Sequence, residues 1–260
     1  MVRTFLALLV VLGIYVGITP AHAEGDDRSF SFPGSAWNST GNLSPFERGN
    51  VISQTYAEQG VKVWSLTDSL SLIPYVSGSV TADTKGYDWN NKLVGTGGLK
   101  LQQDFANGII ALRVGYAYEY RFKSGIDRDG LVGRLEYWFG WSLDDERRFP
   151  GSSWGVVGFL SPLEKGNLVA AAYVQQGYVA YRNPDIALVP FIEATVSTDT
   201  KDYDWNNYVR GAAGVKAAVT VCSCDIGVAY AYEKRFQGSS RDGVMFFVRF
   251  WFGWNPKSGG

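Results

Sequence analysis

The chain has 260 residues, 15% of them aromatic, and its 24 basic and 25 acidic side chains nearly cancel, so we expect no nucleic-acid partner. His22 is the only histidine and falls in a leader that we expect to be removed, which excludes the usual serine–histidine hydrolases and histidine-containing zinc sites. We therefore expect no enzyme, no cofactor and no metal, although catalysis by a lysine or a carboxylate pair stays open.

Residues 1–23 are predicted to form a cleaved secretory signal. Arg3 precedes an apolar run over residues 5–16, and "AHA" at 21–23 gives the small-x-small pattern that signal peptidase recognises. A membrane anchor is the alternative, but the apolar run is too short to cross a bilayer comfortably.

The rest of the chain contains one unit twice. "YDWNN" at 87–91 recurs at 203–207, and "FPGSAWNSTGNLSPFERGN" at 32–50 matches "FPGSSWGVVGFLSPLEKGN" at 149–167. Two long copies do not make a solenoid, which needs several short units. The predicted segments after the signal are an N-terminal tail at 24–31, a first half-barrel repeat at 32–148, a second at 149–256 and a C-terminal tail at 257–260.

Residues 108–123 show a strict period-two alternation that predicts a β-strand. Its apolar face ends in tyrosine and phenylalanine, and other strands end in tryptophan, which are the side chains favoured at membrane interfaces. Because backbone groups in lipid need internal hydrogen bonds, a membrane-spanning sheet must close on itself. The pattern favours a transmembrane barrel over the alternative, a soluble secreted β-protein.

The strand count follows from the alternation of strand direction. Five strands per copy are predicted near 51–64, 72–82, 93–104, 109–122 and 131–141, and near 168–181, 188–198, 209–221, 225–236 and 244–254. Five would leave the two copies running in opposite senses, so we predict a sixth strand at 35–43 and at 152–160. The predicted fold is all-β, a transmembrane antiparallel up-and-down β-barrel of about twelve strands built from two duplicated six-strand halves.

If the last strand ends on the periplasmic side, both copies of "DTK.YDWNN" lie at the outer rim. Acidic and amide side chains beside an indole could bind a sugar, or their oxygens could hold calcium. The favoured interpretation is an aromatic girdle with Asx-turns that shape the hairpins. The candidate ligand-binding residues are Asp83, Asp88, Trp89, Asn90, Asn91, Asp199, Asp204, Trp205, Asn206 and Asn207.

The charged strand faces predict a hydrophilic lumen. Mixed charges can pair across the lumen and fill it, or they can line a narrow wet passage, and their near balance favours pairing. The candidate lumen-lining residues are Lys100, Arg113, Glu119, Arg121, Arg134, Glu136, Lys216, Glu233, Arg235 and Arg249.

Cys222 and Cys224 form a Cys-Ser-Cys segment in a chain that we expect to be exported. Two residues apart is awkward for a disulfide in an extended chain. A local disulfide across a turn and a pair of idle thiols therefore both stay open, and neither indicates an active site.

Short aromatic motifs resemble a known family. "Y-x-x-QG", "PYV", "YDWNN", a Gly-rich strand and "YEYRF…WFGW" are similar to the C-terminal barrel domain of the bacteriophage adsorption protein A receptors and to small outer-membrane barrels encoded beside exopolysaccharide genes. The resemblance implies twelve to sixteen strands and a link to surface-polysaccharide export or phage adsorption.

Together these observations predict a non-enzymatic barrel in the outer membrane of a Gram-negative cell. We expect it to be a channel or assembly component in surface polysaccharide export, with outer-membrane lipid and polysaccharide or envelope secretion components as partners. The alternatives are a receptor or adhesion barrel acting through its extracellular loops, and a soluble secreted β-protein.

Overall fold

The computed structural model describes residues 31–141 and 148–256. The predicted signal at 1–23, most of the N-terminal tail, residues 142–147 at the end of the first repeat and the C-terminal tail lie outside the described residues.

Twelve long strands close into one antiparallel barrel, which confirms the predicted fold class. Each strand pairs with the next along the chain, and the last pairs with the first. Two-residue strands at Trp64–Ser65 and Tyr181–Arg182 extend this sheet. In the described ranges, no helix has the length and apolarity needed to span a bilayer. The twelve are β1 (Gly34–Asn42), β2 (Ile52–Gly60), β3 (Leu70–Asp83), β4 (Lys92–Phe105), β5 (Gly108–Arg121), β6 (Asp127–Trp141), β7 (Gly151–Phe159), β8 (Leu168–Gly177), β9 (Ile186–Asp199), β10 (Tyr208–Val219), β11 (Cys224–Arg235) and β12 (Ser240–Trp254).

Strand β5 shows which face of the sheet points inward. Ala111, Arg113 and Glu119 are at most 6% exposed, whereas Leu112 and Val114 are at least 50% exposed. Strands β9 and β11 alternate in the same way. The apolar face therefore lies outside and the charged face inside, which is the reverse of the distribution in a water-soluble protein.

The two sequence copies occupy opposite halves of the barrel. Strands β1–β6 come from the first copy and β7–β12 from the second, so each strand lies across the barrel from its equivalent. Two seams join the halves, one between β6 and β7 and the other between β12 and β1. An approximate twofold axis therefore runs along the bore, and equivalent residues that touch each other must lie on it.

The second strand of each copy ends earlier than the sequence predicts. Strand β2 ends at Gly60, and the next residue, Val61, donates its N–H to the carbonyl of Pro74. Proline has no N–H to return, so the ladder is interrupted at this position and resumes with the two-residue strand Trp64–Ser65. The second copy repeats the arrangement, with Gly177 ending β8 and Pro190 on the neighbouring strand.

The last strand of each copy begins four residues earlier than predicted, because its first residues are polar and show no apolar alternation. Their side chains bond to exposed tyrosines on the preceding strand. The hydroxyl of Tyr116 donates to Asp129 at 2.7 Å, and Tyr230 donates to Asp242 in the second copy. These pairs place phenol hydroxyls beside carboxylates at one rim of the barrel.

The barrel has two distinct ends. Residues 87–91 and 203–207 lie at one of them, which we call the YDWNN end. At the other, the terminal end, the N–H of Phe32 donates to the carbonyl of Pro256 at 3.0 Å.

The Cys-Ser-Cys segment is a tight turn at the terminal end. Ser223 adopts the left-handed conformation with φ of 47°, which brings the Cα atoms of Cys222 and Cys224 to 5.2 Å. The two sulfur atoms form a disulfide. The turn thus brings the two cysteines close enough to bond, which an extended chain would not do.

Candidate functional site

Asp83 organises the first YDWNN loop from the end of β3. Its carboxylate accepts hydrogen bonds from the side-chain amides of Asn50, Asn90 and Asn91 at 2.8–3.0 Å. It also accepts the backbone N–H of Tyr87 at 3.0 Å. All four donors belong to the protein itself, so this carboxylate stabilises the conformation of the loop between β3 and β4.

Asp199 repeats this arrangement in the second copy. It accepts the side-chain amides of Asn167, Asn206 and Asn207 at 2.7–2.9 Å and the backbone N–H of Tyr203 at 3.1 Å. The same loop therefore forms twice, on opposite sides of the barrel mouth.

The other acidic residue of each loop ties it to a neighbouring hairpin. Asp88 accepts the backbone N–H and the hydroxyl of Ser124 at 2.9 and 3.0 Å and lies 3.7 Å from Arg121. Desolvation alone would raise the pKa of Asp88, but these donors outweigh it and hold that pKa below its usual range. In the second copy, Asp204 instead pairs with Nη1 of Arg235 at 2.5 Å.

Four nearly parallel aromatic rings meet over the barrel mouth. Trp89 and Trp205 stack with ring centroids 6.0 Å apart and planes 10° apart. Tyr87 stacks on Trp89 at 4.9 Å, and Tyr203 stacks on Trp205 at 4.7 Å. The two indoles are equivalent residues of the two copies, so their contact lies on the twofold axis. We call these four rings the mouth stack.

The ten rim residues singled out by the sequence therefore divide in two. Eight of them, the aspartates and asparagines, are engaged in bonds that build or anchor the loops. Trp89 and Trp205 are 44 and 48% exposed, so part of each ring is free to contact a sugar ring. In the described part of the chain, no group of three or more histidine, cysteine or acidic side chains is placed to hold a metal ion.

A buried ion network fills the first half of the lumen. Glu58 pairs with Nζ of Lys100 at 2.8 Å and with the guanidinium of Arg113. Nε of Arg113 pairs with Glu136 at 2.5 Å, and Nε of Arg134 pairs with the same carboxylate at 2.7 Å. Glu58, Lys100 and Arg113 are almost excluded from solvent, so side chains rather than water occupy this part of the bore.

The second half of the lumen has diverged and carries an apolar cluster. The positions equivalent to Arg113 and Arg134 are Gly227 and Phe247. The phenyl ring occupies the space beside the glycine, since a Cβ atom on Gly227 would lie 2.5 Å from it. The ring packs in a buried cluster with Phe191, Ala212, Ala229, Ala231 and Met245.

Smaller ion pairs also lie in the second half. Arg249 lies 3.4 Å from Glu193 and stacks over the ring of Phe247. Nζ of Lys216 lies 2.6 Å from Asp225. The charges are again paired rather than aligned along an open passage.

Two buried glutamates connect the lumen to the rim loops. Glu119 accepts the hydroxyl of Ser161, and Glu233 accepts that of Ser44 at 2.9 Å. Each serine belongs to a loop at the YDWNN end, so these bonds pull the loops inward. Arg121 lies 3.3 Å from Glu119, and Arg235 lies 3.7 Å from Glu233. The structure thus places all ten predicted lumen residues on the inward face, each buried or half-buried.

A second indole pair crosses the lumen near the terminal end. Trp138 of β6 and Trp251 of β12 stack with centroids 5.7 Å apart and planes 11° apart. Their partners on the neighbouring strands are Trp154 and Trp37. Four indoles therefore span the bore at this end.

Sequence reasoning missed several acidic and amide residues of these clusters. Glu58, Glu193 and Asp225 lie on inward strand positions, and the period-two pattern was the available signal. Asn50 and Asn167 end the matching segments "SPFERGN" and "SPLEKGN", and the repeated Gly-Asn was the signal for them.

No protein-family model matches the chain, and no curated protein matches it by sequence. Solved structures show distant similarity. The COG4313 outer membrane channel from Pseudomonas putida F1 aligns over 91% of this chain and 100% of its own, with 12% identity and a TM-score of 0.40. The outer membrane channel DcaP of Acinetobacter baumannii aligns over 86 and 96%, with 13% identity and a TM-score of 0.33. The β domain of the Bordetella autotransporter BrkA aligns over 85 and 98%, with 12% identity and a TM-score of 0.35.

Similarities at this level carry no information on function. The chain's own architecture is more informative, because a closed antiparallel barrel with an apolar exterior and a charged interior is the form of outer-membrane β-barrel proteins.

Proposed function

We propose that the protein is a non-enzymatic outer-membrane β-barrel that binds a carbohydrate polymer at its YDWNN end, as an assembly component of surface polysaccharide export. The apolar exterior of strands such as β5 supports placement in a membrane. We place the terminal end in the periplasm, where the last strand of such barrels usually ends, so that the YDWNN end faces outward.

The observation that carries the carbohydrate proposal is the mouth stack. Sugar rings have apolar faces that pack on indoles, and their hydroxyls bond to neighbouring polar groups. Trp89 and Trp205 offer exposed ring surface at the axis, and the Asp83 and Asp199 hydrogen bonds fix the loops that carry them. A rigid aromatic surface loses little conformational entropy on binding.

The packed lumen supports an assembly role in preference to an open diffusion pore. Buried ion pairs occupy its first half, an apolar cluster occupies its second half, and indole pairs cross it at both ends. In planar bilayers we expect the reconstituted barrel to show no stable open-channel conductance. A steady conductance of porin size would contradict this part of the proposal.

Binding of purified surface polysaccharide from the source cell tests the carbohydrate proposal. Trp89→Ala with Trp205→Ala should lose binding, while Trp64→Ala, an exposed indole near the terminal end, should bind like the wild type. Heat-modifiable gel mobility checks that each variant still forms the barrel. Equal binding by all three proteins, or by none of them, would overturn the proposal.

A receptor or adhesion barrel is the second candidate. The exposed mouth stack could bind its ligand, and the packed lumen is compatible with this role because a receptor needs no open lumen. Deleting 84–91 and 200–207 separates the two functions in cells. Loss of polymer export supports the export role. Normal export with loss of ligand or phage adsorption supports the receptor.

A further inference from the structure

One of the two seams between the barrel halves is open at the YDWNN end. The pairing of β6 with β7 begins at Gly133 and Phe159, so residues 127–132 of β6 extend past the end of their neighbour. The loop that follows β7 does not close the gap. A cavity of about 650 Å³ lies between the unpaired stretch and this loop, lined by Arg128, Asp129, Gly130, Leu131, Phe159, Ser161, Pro162, Lys165 and Gly166.

The lining combines two cations with an apolar outer surface. Arg128 and Lys165 are both exposed, and neither forms an ion pair within the described residues. Leu131 is 77% exposed and Phe159 is 48% exposed, and both lie on the outward face of the barrel. The acidic residue of the lining, Asp129, has its carboxylate bonded to the hydroxyl of Tyr116 on the neighbouring strand.

The equivalent seam between β12 and β1 is filled by its own side chains. Arg48, the counterpart of Lys165, donates from Nη2 to the carbonyl of Asp242 at 3.0 Å. Arg241, the counterpart of Arg128, lies over the ring of Phe46 at 5.2 Å. In the open seam the position of that ring is taken by Leu163, which offers no aromatic face to the cation.

We propose that the open seam binds one anionic phosphorylated lipid of the surrounding membrane. Its phosphate would be held between Arg128 and Lys165, and an acyl chain would lie along Leu131 and Phe159. The charges and the apolar surface match the two parts of such a lipid, and phosphate binds strongly to a guanidinium. The inference rests on the membrane placement in the proposed function, but not on carbohydrate binding.

The chain provides a matched control for this site. Arg128→Ala with Lys165→Ala removes two cations from the open seam, and Arg48→Ala with Arg241→Ala removes two from the closed seam. We expect native mass spectrometry of the detergent-solubilised wild type, with added dipalmitoyl phosphatidylglycerol, to show one bound lipid. The affinity of the open-seam variant for the lipid should fall by about tenfold or more, and the closed-seam variant should bind the lipid like the wild type.

Two further measurements keep the outcomes distinct. Glycerol 3-phosphate alone should bind far more weakly than the whole lipid, and equal binding of the two would overturn the acyl-chain contact. Equal lipid binding by the two double variants, each folded by heat-modifiable mobility, would overturn the site while leaving the carbohydrate proposal intact. Failure of the wild-type barrel to insert into vesicles would overturn both.

Discussion

Trp138 and Trp251 stack with ring centroids 5.7 Å apart, although they lie on strands at opposite sides of the barrel. Each holds the same position in its own copy of the repeat, so their contact lies on the approximate twofold axis. Trp89 and Trp205 make the same kind of contact at the other end. The duplication thus produces the two indole stacks that cross the ends of the bore, because a residue near the axis in one copy contacts its equivalent in the other copy.

Each of these contacts should contribute a measurable coupling energy. Stacked aromatic pairs are worth about 0.5–1.5 kcal/mol beyond the area that they bury. A double-mutant cycle on Trp138→Ala and Trp251→Ala, with unfolding in urea followed by gel mobility, should show a coupling of this size. A sum of the two single effects that equals the double effect would show that the rings do not interact.

Removal of the Asp83 carboxylate should loosen the loop that it organises. Asp83→Ala leaves three side-chain amides and one backbone N–H without their acceptor, at a cost of about 1–3 kcal/mol for each group that water cannot reach. Limited proteolysis should then cut within 84–91 while the barrel keeps its heat-modifiable mobility. Asp68→Ala, in a loop at the terminal end, is the control and should leave the cleavage rate unchanged.

The lumen network should depend on its balance of charge. Glu58→Gln leaves the buried ammonium of Lys100 without a carboxylate, and breaking a buried pair in this way costs about 3–5 kcal/mol. Glu58→Gln together with Lys100→Met removes both members of the pair, while Arg113 keeps Glu136, and should recover part of that loss. The midpoint temperature of the gel-mobility shift measures both. A double variant less stable than the sum of the single ones would contradict this reasoning.

The Asp88 contact should weaken in acid. Its pKa is lower in the folded protein than in the unfolded chain, so it contributes stability that is fully present above its unfolded pKa and is lost as the pH falls through the folded pKa. Tryptophan fluorescence from the mouth stack should report this loss at acidic pH. In Asp88→Asn the pH-dependent change should be smaller, and an unchanged profile would rule out this carboxylate as its source.

Much of the fold could be predicted from the sequence because it follows from local patterns. The alternation in β5 separates Leu112 and Val114 from Arg113, and the parity of strand direction requires twelve strands. The early end of β2 depends on Pro74, a residue of the neighbouring strand, and no pattern within β2 indicates it. Strand bounds are therefore least predictable where the partner decides them.

The candidate site was less predictable, because its contacts join distant parts of the chain. The sequence points to Asp83 and Trp89 but does not show that the carboxylate is used internally while the indole meets Trp205 across the mouth. The divergence of the halves was visible as Arg113 against Gly227, yet its meaning required the position of Phe247. Long-range packing supplied what short motifs could not.

The central claim is that a closed barrel presents its apolar face to lipid and its charged face to a packed interior. The most direct test is a series of variants, each with one spin label at a position from 109 to 118 of β5. Both native cysteines are replaced by serine, and each labelled protein is reconstituted into vesicles. Oxygen accessibility should be high at 110, 112, 114 and 116 and low at the positions between them, with little access by a water-soluble nickel reagent in either set. High nickel access at the even positions, or no alternation with a period of two, would contradict the account.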